Sequence, residues 1–505
     1  MTGHPQTRAQ LARHGRRHGG HAERHGRRHG AGALALVLHT HMPYVEGGAP
    51  WPRPPEERNP LGFGTWPFGE EWLWEAIATC YVPLLGVLGR APITLSLTPV
   101  LCDQLESPGA LQRCLRFLTE VRPESHRRDI ELARERGQDE LVLELERSAT
   151  IYASAVQELR ALPDGLLGAL GPHAGWTSAA THPVLPLLAS DAAVAVQLQT
   201  GVASFRRRFG TWGGGLWLPE CAYAPWLHSA LAQAGVRATC VELPTRLLAR
   251  SDVSPGPLHS DEGVVLWPLD REVISLVWAA DGYPARAPYR DSHRLTANHR
   301  RAWRNDGEVY DHQAALIQVR ADARDFVARV RRRVSGGGVC VCALDTELLG
   351  HWWHEGIDWL DAVLEEAANQ GLALTTLDDA LERQEPLPVP RELAADDQSA
   401  GVVTWGLGGD LRTWSGPAVA DLAWSARTAE LKVMAARRPS PRAVRELLAL
   451  QASDWLFLMH HRLAGDYPRE RMEAHVRSLE LALAGDPGLA PELRNLAPDL
   501  VAWPG

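Results

Sequence analysis

Residues 213–225 read GGGLWLPECAYAP. Three glycines lead into a short apolar run, Leu216-Trp217-Leu218, which stops at Pro219 and a carboxylate, Glu220. The pattern predicts a buried β-strand whose end presents an acid into a pocket. In α/β barrels the reacting groups sit at C-terminal strand ends, where the loops open to solvent. Trp217, Tyr223 and Trp226 crowd this acid in sequence. Taken alone, the stretch reads equally well as a strand end at which Glu220 caps a following helix. The choice turns on whether the same strand-then-polar arrangement recurs.

It does recur. Residues 33–38 form a continuous apolar run, read as a buried parallel strand, and it ends in His39-Thr40-His41. Residues 339–344 form another, ending at Asp345. Further strands are predicted at 93–97, 238–243, 264–267, 273–278 and 372–375, with helices at 70–88, 225–234, 322–334 and 359–369. A Pro/Trp-rich loop is expected at 47–68, a polar helical insertion over about 102–170, and a loop entering a helix at 171–188. Residues 250–263 read as a mobile surface loop, and 386–390, rich in proline, as a boundary. Beyond it 419–483 is mostly helical. Strands alternating with helices over most of the chain imply a parallel sheet, and their number favours a closed barrel. No glycine fingerprint of a dinucleotide site or P-loop follows any strand.

Composition narrows the class. A chain of 505 residues calls for one large domain and a second. The first thirty residues hold seven Arg, six His and one Glu with no apolar stretch. They read as a disordered tail without the apolar core of a signal peptide. The remaining chain is more acidic than the overall −9, which argues against nucleic acid as main partner. No apolar run is long enough for a membrane span. The seven cysteines lack a CxxC pair and read as buried thiols in a reducing cytoplasm. Nineteen Trp against seven Phe is unusual. Many belong to the core, but an indole face also suits the apolar face of a pyranose ring.

Barrel closure would bring His39, His41, Glu220 and Asp345 around one mouth. Two facing carboxylates among tryptophans are what glycoside chemistry needs, at about 5–5.5 Å apart for retention. The histidines would hydrogen-bond sugar hydroxyls or tune the carboxylates. A rival reading takes His39, His41, Asp345, His351 and His354 as zinc ligands of a deacetylase, which leaves Glu220 without a role. A sugar-binding module without catalysis explains the tryptophans but not the paired acids.

These segments resemble glycoside hydrolase family 57, in particular its α-1,4-glucan branching enzymes. The resemblance rests on five ordered motifs: HTHMPY (39–44), ATHPVLPLL (180–188), WLPECAY (217–223), LDTELLGHWWHEG (344–356) and SDWLFLM (453–459). It implies a distorted (β/α)7 barrel with helical insertions and an α-helical C-terminal domain. The implied division is a tail at 1–30, a catalytic barrel at 31–390 and a helical domain at 391–505 that contributes to the cleft. Glu220 is the implied nucleophile and Asp345 the acid/base. His39, His41 and His182 would line the subsite of the cleaved sugar, with Asp454 supporting it from the helical domain. Trp217, Trp278, His351, Trp405 and Trp414 complete the implied substrate contacts. The implied substrate is an α-1,4-glucan as donor and acceptor, with no metal or organic cofactor, in a cytoplasmic monomer. An α-amylase or 4-α-glucanotransferase on the same scaffold is the nearest alternative. One departure concerns a loop-tip Tyr of branching members: 250–263 contains none, and His259 is the candidate substitute.

Overall fold

The structure is a computed structural model and describes residues 32–45, 69–243, 254–382, 384–390, 402–490 and 492–504. The expected tail, all of the Pro/Trp-rich loop and residues 250–253 of the expected surface loop lie outside these residues, as do 391–401 where the C-terminal domain was to begin. Among the described residues ten strands follow in order: β1 (Ala33–Thr40), β2 (Thr94–Leu97), β3 (Ala174–Ser178), β4 (Leu216–Trp217), β5 (Ala238–Val241), β6 (Leu258–His259), β7 (Val265–Pro268), β8 (Val339–Asp345), β9 (Ala373–Leu374) and β10 (Leu387–Pro388).

One sheet runs β4-β3-β2-β1-β8, with β9 beside the start of β1, and a second runs β10-β6-β7-β5. The two join at both ends. A parallel bridge between Gly215 and Ala238 links β4 to β5. The amide of Asp270, just after β7, donates to the Val341 carbonyl of β8 at 2.9 Å. The resulting ring of β1, β2, β3, β4, β5, β7 and β8 is parallel at each of its paired seams and closed between β7 and β8 by that bond, a seven-stranded barrel distorted by its short strands. Apolar residues are nearly continuous along β1 and β8 because both faces of each strand are covered.

The segment 102–170 is helical as expected, built chiefly from Arg122–Glu135 and Asp139–Ala161. Helix His312–Arg333 starts ten residues earlier than 322, where Asp311 caps the amides of Gln313 and Ala314. Three readings need correction. Residues 273–278 are not a strand but part of helix Arg271–Trp278, because Asp270 caps the Val273 amide immediately after β7. Residues 174–178, expected within a loop, form β3, a buried strand hidden by its Gly, Thr and Ser content. Residues 258–259 and 387–388 form paired strands β6 and β10 rather than loop and boundary. His259 thus sits in a strand, its Nδ1 3.1 Å from the Ser260 carbonyl, and not at a loop tip.

The helices Ala420–Ala435, Pro441–Leu450, Ser453–His461 and Tyr467–Ala484 pack on one another around Leu447, Trp455 and Leu479. Their shared core reaches barrel residues Tyr44, Val100 and Ala180. No helix of the described residues is long and apolar enough to cross a membrane.

Gly215 occupies the seam between β4 and β5, and a Cβ there would lie 2.1 Å from the Trp176 indole nitrogen. Gly215→Ala is expected to lower the unfolding free energy by about 1–3 kcal/mol through overpacking. Gly213→Ala, which meets nothing within 4 Å, should stay within about 0.5 kcal/mol. Urea denaturation of the two variants at unchanged m-value is the check.

Candidate active site

The cross-strand register gathers the polar groups at the C-terminal rim. His39 of β1 pairs with Ser96 of β2 on one side and with Asp345 of β8 on the other. Trp217 ends β4, and its ring stacks on the His39 imidazole at 4.8 Å. Glu220 follows in a single turn, Pro219–Cys221, with φ 60° and ψ 21°. Cys221 and His182 also have positive φ, of 47° and 61°. Side chains with a Cβ are uncommon there, and such conformations persist only where surroundings over-determine them.

Glu220 is held by donors from outside the barrel. The Ser453 hydroxyl donates to Oε1 at 2.7 Å, and the Trp405 indole N–H to Oε2 at 3.3 Å. The Glu220 carbonyl accepts from the Thr404 hydroxyl at 2.7 Å and the Trp405 amide at 3.3 Å. Burial raises the Glu220 carboxyl to about 7, with the Ser453 and Trp405 hydrogen bonds working against that rise. Asp345 is driven well above the carboxylate range by burial, then by the charges of Glu347, Glu220 and Asp454. Among the described residues no donor reaches its carboxyl group. The two acids therefore share one charge field but differ in support: Glu220 is the better anion, and Asp345 the better proton holder.

The three histidines are stacked, with His41 and His182 centroids 4.0 Å apart and His39 and His182 5.0 Å apart. Every ring nitrogen has a partner. His39 uses Ser96 Oγ at 3.2 Å and His182 Nε2 at 2.9 Å. His182 Nδ1 meets Ser453 Oγ at 3.0 Å. His41 uses Thr98 Oγ1 at 3.2 Å and Asp454 Oδ2 at 3.0 Å. Burial pulls His39 and His182 well below their usual range, so both are neutral. With Glu220 ionised, one direction of donation then satisfies the whole row. Ser96 donates to His39, His39 to His182, His182 to Ser453, and Ser453 to Glu220. His41 differs: burial lowers it, but Asp454, Glu347 and Glu220 together outweigh burial and raise it.

The histidine nitrogens are engaged with one another and with Ser96, Thr98, Ser453 and Asp454, so the rings stand at the rim as a preassembled row. Two expected sugar contacts, Trp217 and Trp414, need correction. Trp217 is fully buried beneath His39 and Trp405, and Trp414 is fully buried against Val184 and Ala222. Neither offers a face to a sugar as it stands, because the Gly406 turn closes over Trp414. His351 meets Thr79 Oγ1 at 3.4 Å, and the Arg301 guanidinium donates to its carbonyl, away from the stacked row. Trp405 is half-buried and Trp278 is 45 % exposed, with their rings 6.4 Å apart. These two tryptophans form the open aromatic wall.

The five-residue zinc set is not assembled either, since His354 packs on Tyr310 at 5.6 Å. A different trio, His41, His182 and Asp454, brings ligand atoms within 4.8 Å of one another. Its His41 and Asp454 are joined by a 3.0 Å ion pair. Sequence reasoning missed Ser453, although it stands beside Asp454 in the quoted motif. It also missed Glu347, which accepts from the His41 amide at 3.0 Å and the Tyr81 hydroxyl at 2.7 Å. Tyr81 closes a π-turn, Ile77–Tyr81, a feature often found at functional sites. Nothing in its local sequence marks it.

The chain is similar to known glycoside hydrolases. The model of glycosyl hydrolase family 57 matches residues 176–390, and that of the C-terminal region of 1,4-alpha-glucan branching enzymes matches 419–484. A 1,4-alpha-glucan branching enzyme of Thermococcus kodakarensis is 30% identical, over 88% of this chain and 72% of its own. The crystal structure of a GH57-type branching enzyme from Pyrococcus horikoshii superposes with a TM-score of 0.76. It is 26% identical, and the match covers 94% of this chain and 98% of that one. An alpha-amylase of Thermotoga maritima shares the fold at TM-score 0.71 and 23% identity, covering 94% of this chain and 98% of its own.

Ser453→Ala removes the bond that favours the ionised form of Glu220. The Glu220 titration is expected to move upward by about one pH unit, the scale of a hydrogen bond to a charged group. Carbon-detected NMR titration of labelled glutamate, with Glu220→Gln for assignment, measures it.

Proposed function

This chain belongs to glycoside hydrolase family 57, and on that premise we propose that it is a 1,4-alpha-glucan branching enzyme acting by a retaining double displacement. The observation carrying this reading is where the branching-enzyme C-terminal match falls. It spans 419–484, and inside it Ser453 and Asp454 reach Glu220 and His41 across the cleft.

In the first step Glu220 attacks the anomeric carbon of an internal α-1,4 bond. The carboxyl proton of Asp345 passes to the departing glycosidic oxygen, which leaves as a free chain end. The glucanyl group is then held as an ester on Glu220. In the second step the Asp345 carboxylate takes the proton of a C6 hydroxyl on another glucan. That oxygen attacks the anomeric carbon, the ester bond to Glu220 breaks, and an α-1,6 branch results. Burial suits both roles, keeping Asp345 protonated while Glu220 retains its two donors. Transfer outcompetes hydrolysis when the acceptor excludes water, and Trp278 and Trp405 supply an aromatic wall for it. No step calls for a metal or organic cofactor. All seven cysteines are free and buried, which supports a cytoplasmic setting, and we take the active unit to be the monomer.

The test is linkage analysis of amylose after incubation with the enzyme and then a debranching enzyme. New α-1,6 linkages are expected; shortened linear chains alone would assign an amylase, and lengthened linear chains a 4-α-glucanotransferase. Glu220→Gln and Asp345→Asn should each lower the rate by at least about 10³-fold while leaving the thermal midpoint nearly unchanged.

A further inference from the structure

Ser453 also lines a cavity of about 450 Å³ whose lining includes neither Glu220 nor the stacked histidines. Its walls are the segment following His182, the outer face of helix Ala420–Ala435, and the turn leading into helix Ser453–His461. Trp424 and Leu431, two helical turns apart on one face, stand at its mouth and are 68 % and 53 % exposed. The walls are fixed to one another. Glu430 accepts from the Ala189 amide at 3.0 Å, the Ser190 hydroxyl at 2.6 Å and the Gln451 side chain at 3.1 Å. Arg427 donates to the Leu187 carbonyl at 3.3 Å. The two charged residues of the lining are thus already partnered. What remains is the exposed Trp424 indole, aliphatic surface and the hydroxyls of Ser415, Thr428 and Ser453, with the buried Trp414 behind them, a lining that suits a neutral ligand with apolar faces and hydroxyl edges.

We propose that this cavity is a second α-glucan-binding site, outside the catalytic cleft, in which Trp424 stacks on a glucosyl ring. The proposal rests on the glucan reading of the catalytic site. The same two segments wall both places: one carries His182 and the other Ser453, and both residues lie on the row that ends at Glu220. A polymer held here keeps further chain segments close to the cleft, raising their effective concentration.

The test uses the full-length chain carrying Glu220→Gln, so that binding is read without turnover. Affinity electrophoresis through gels containing glycogen gives an apparent Kd. Adding Trp424→Ala is expected to weaken binding about tenfold, as for loss of an aromatic anchor, and Trp424→Phe to restore most of it. Leu431→Glu should weaken binding in the same direction. Unchanged migration of both Trp424→Ala and Leu431→Glu would overturn the site. A dimer in size-exclusion chromatography that Trp424→Ala dissociates would overturn it as well, by making the patch a contact between copies. The linkage assay on the unmodified enzyme separates the two readings. Loss of glycogen retention with α-1,6 products absent sinks the branching reading alone, and α-1,6 products with retention unchanged sink this one.

Discussion

An ionised carboxylate away from water must be held by donors, and those of Glu220 come from segments far along the chain. Ser453 and Trp405 lie more than 180 residues downstream, yet both reach its oxygens. The barrel can place Glu220 at the strand rim, but the later segments make its anion tolerable. This arrangement gives the helical part a chemical task beyond covering the core. It also explains why Asp345, lacking such donors, is the group left holding a proton.

The backbone around Glu220 fits that division of labour. Positive φ at Glu220, Cys221 and His182 places three side chains in a conformation that open loops seldom keep. Pairing of Tyr223 with Val403 and of Pro183 with Ala452 clamps the strained turns from the C-terminal side. The stacked imidazoles, Trp217 beneath them and Glu347 bonded to Tyr81 form a rigid polar floor whose members satisfy one another. A sugar entering this site meets charge and shape already arranged, with Trp278 and Trp405 beside it.

Much of this was legible in the sequence, for identifiable reasons. Long apolar runs at 33–38 and 339–344 mark buried parallel strands, and the polar residues that end them fall at the rim by topology alone. The strand at 174–178 was hidden because small or polar residues flank its single Trp176, and 273–278 misled because β-branched residues there follow a helix cap. The acids and histidines were readable as residue types placed after strands. Their hydrogen-bond partners were not, since Ser453, Thr98 and Tyr81 act through separations of dozens to hundreds of positions. The burial of Trp217 and Trp414 was equally invisible: an aromatic residue near an acid looks the same in sequence whether it lines a cleft or underlies it.

The account stands on Glu220 forming the covalent bond to the transferred glucan. Incubation with an activated fluorinated α-glucosyl donor, followed by proteolysis and peptide mass spectrometry, observes that bond directly. A single glycosyl adduct on Glu220, absent in Glu220→Gln, is the predicted result. An adduct on another carboxylate, or turnover that inverts the anomeric configuration without any adduct, would contradict it.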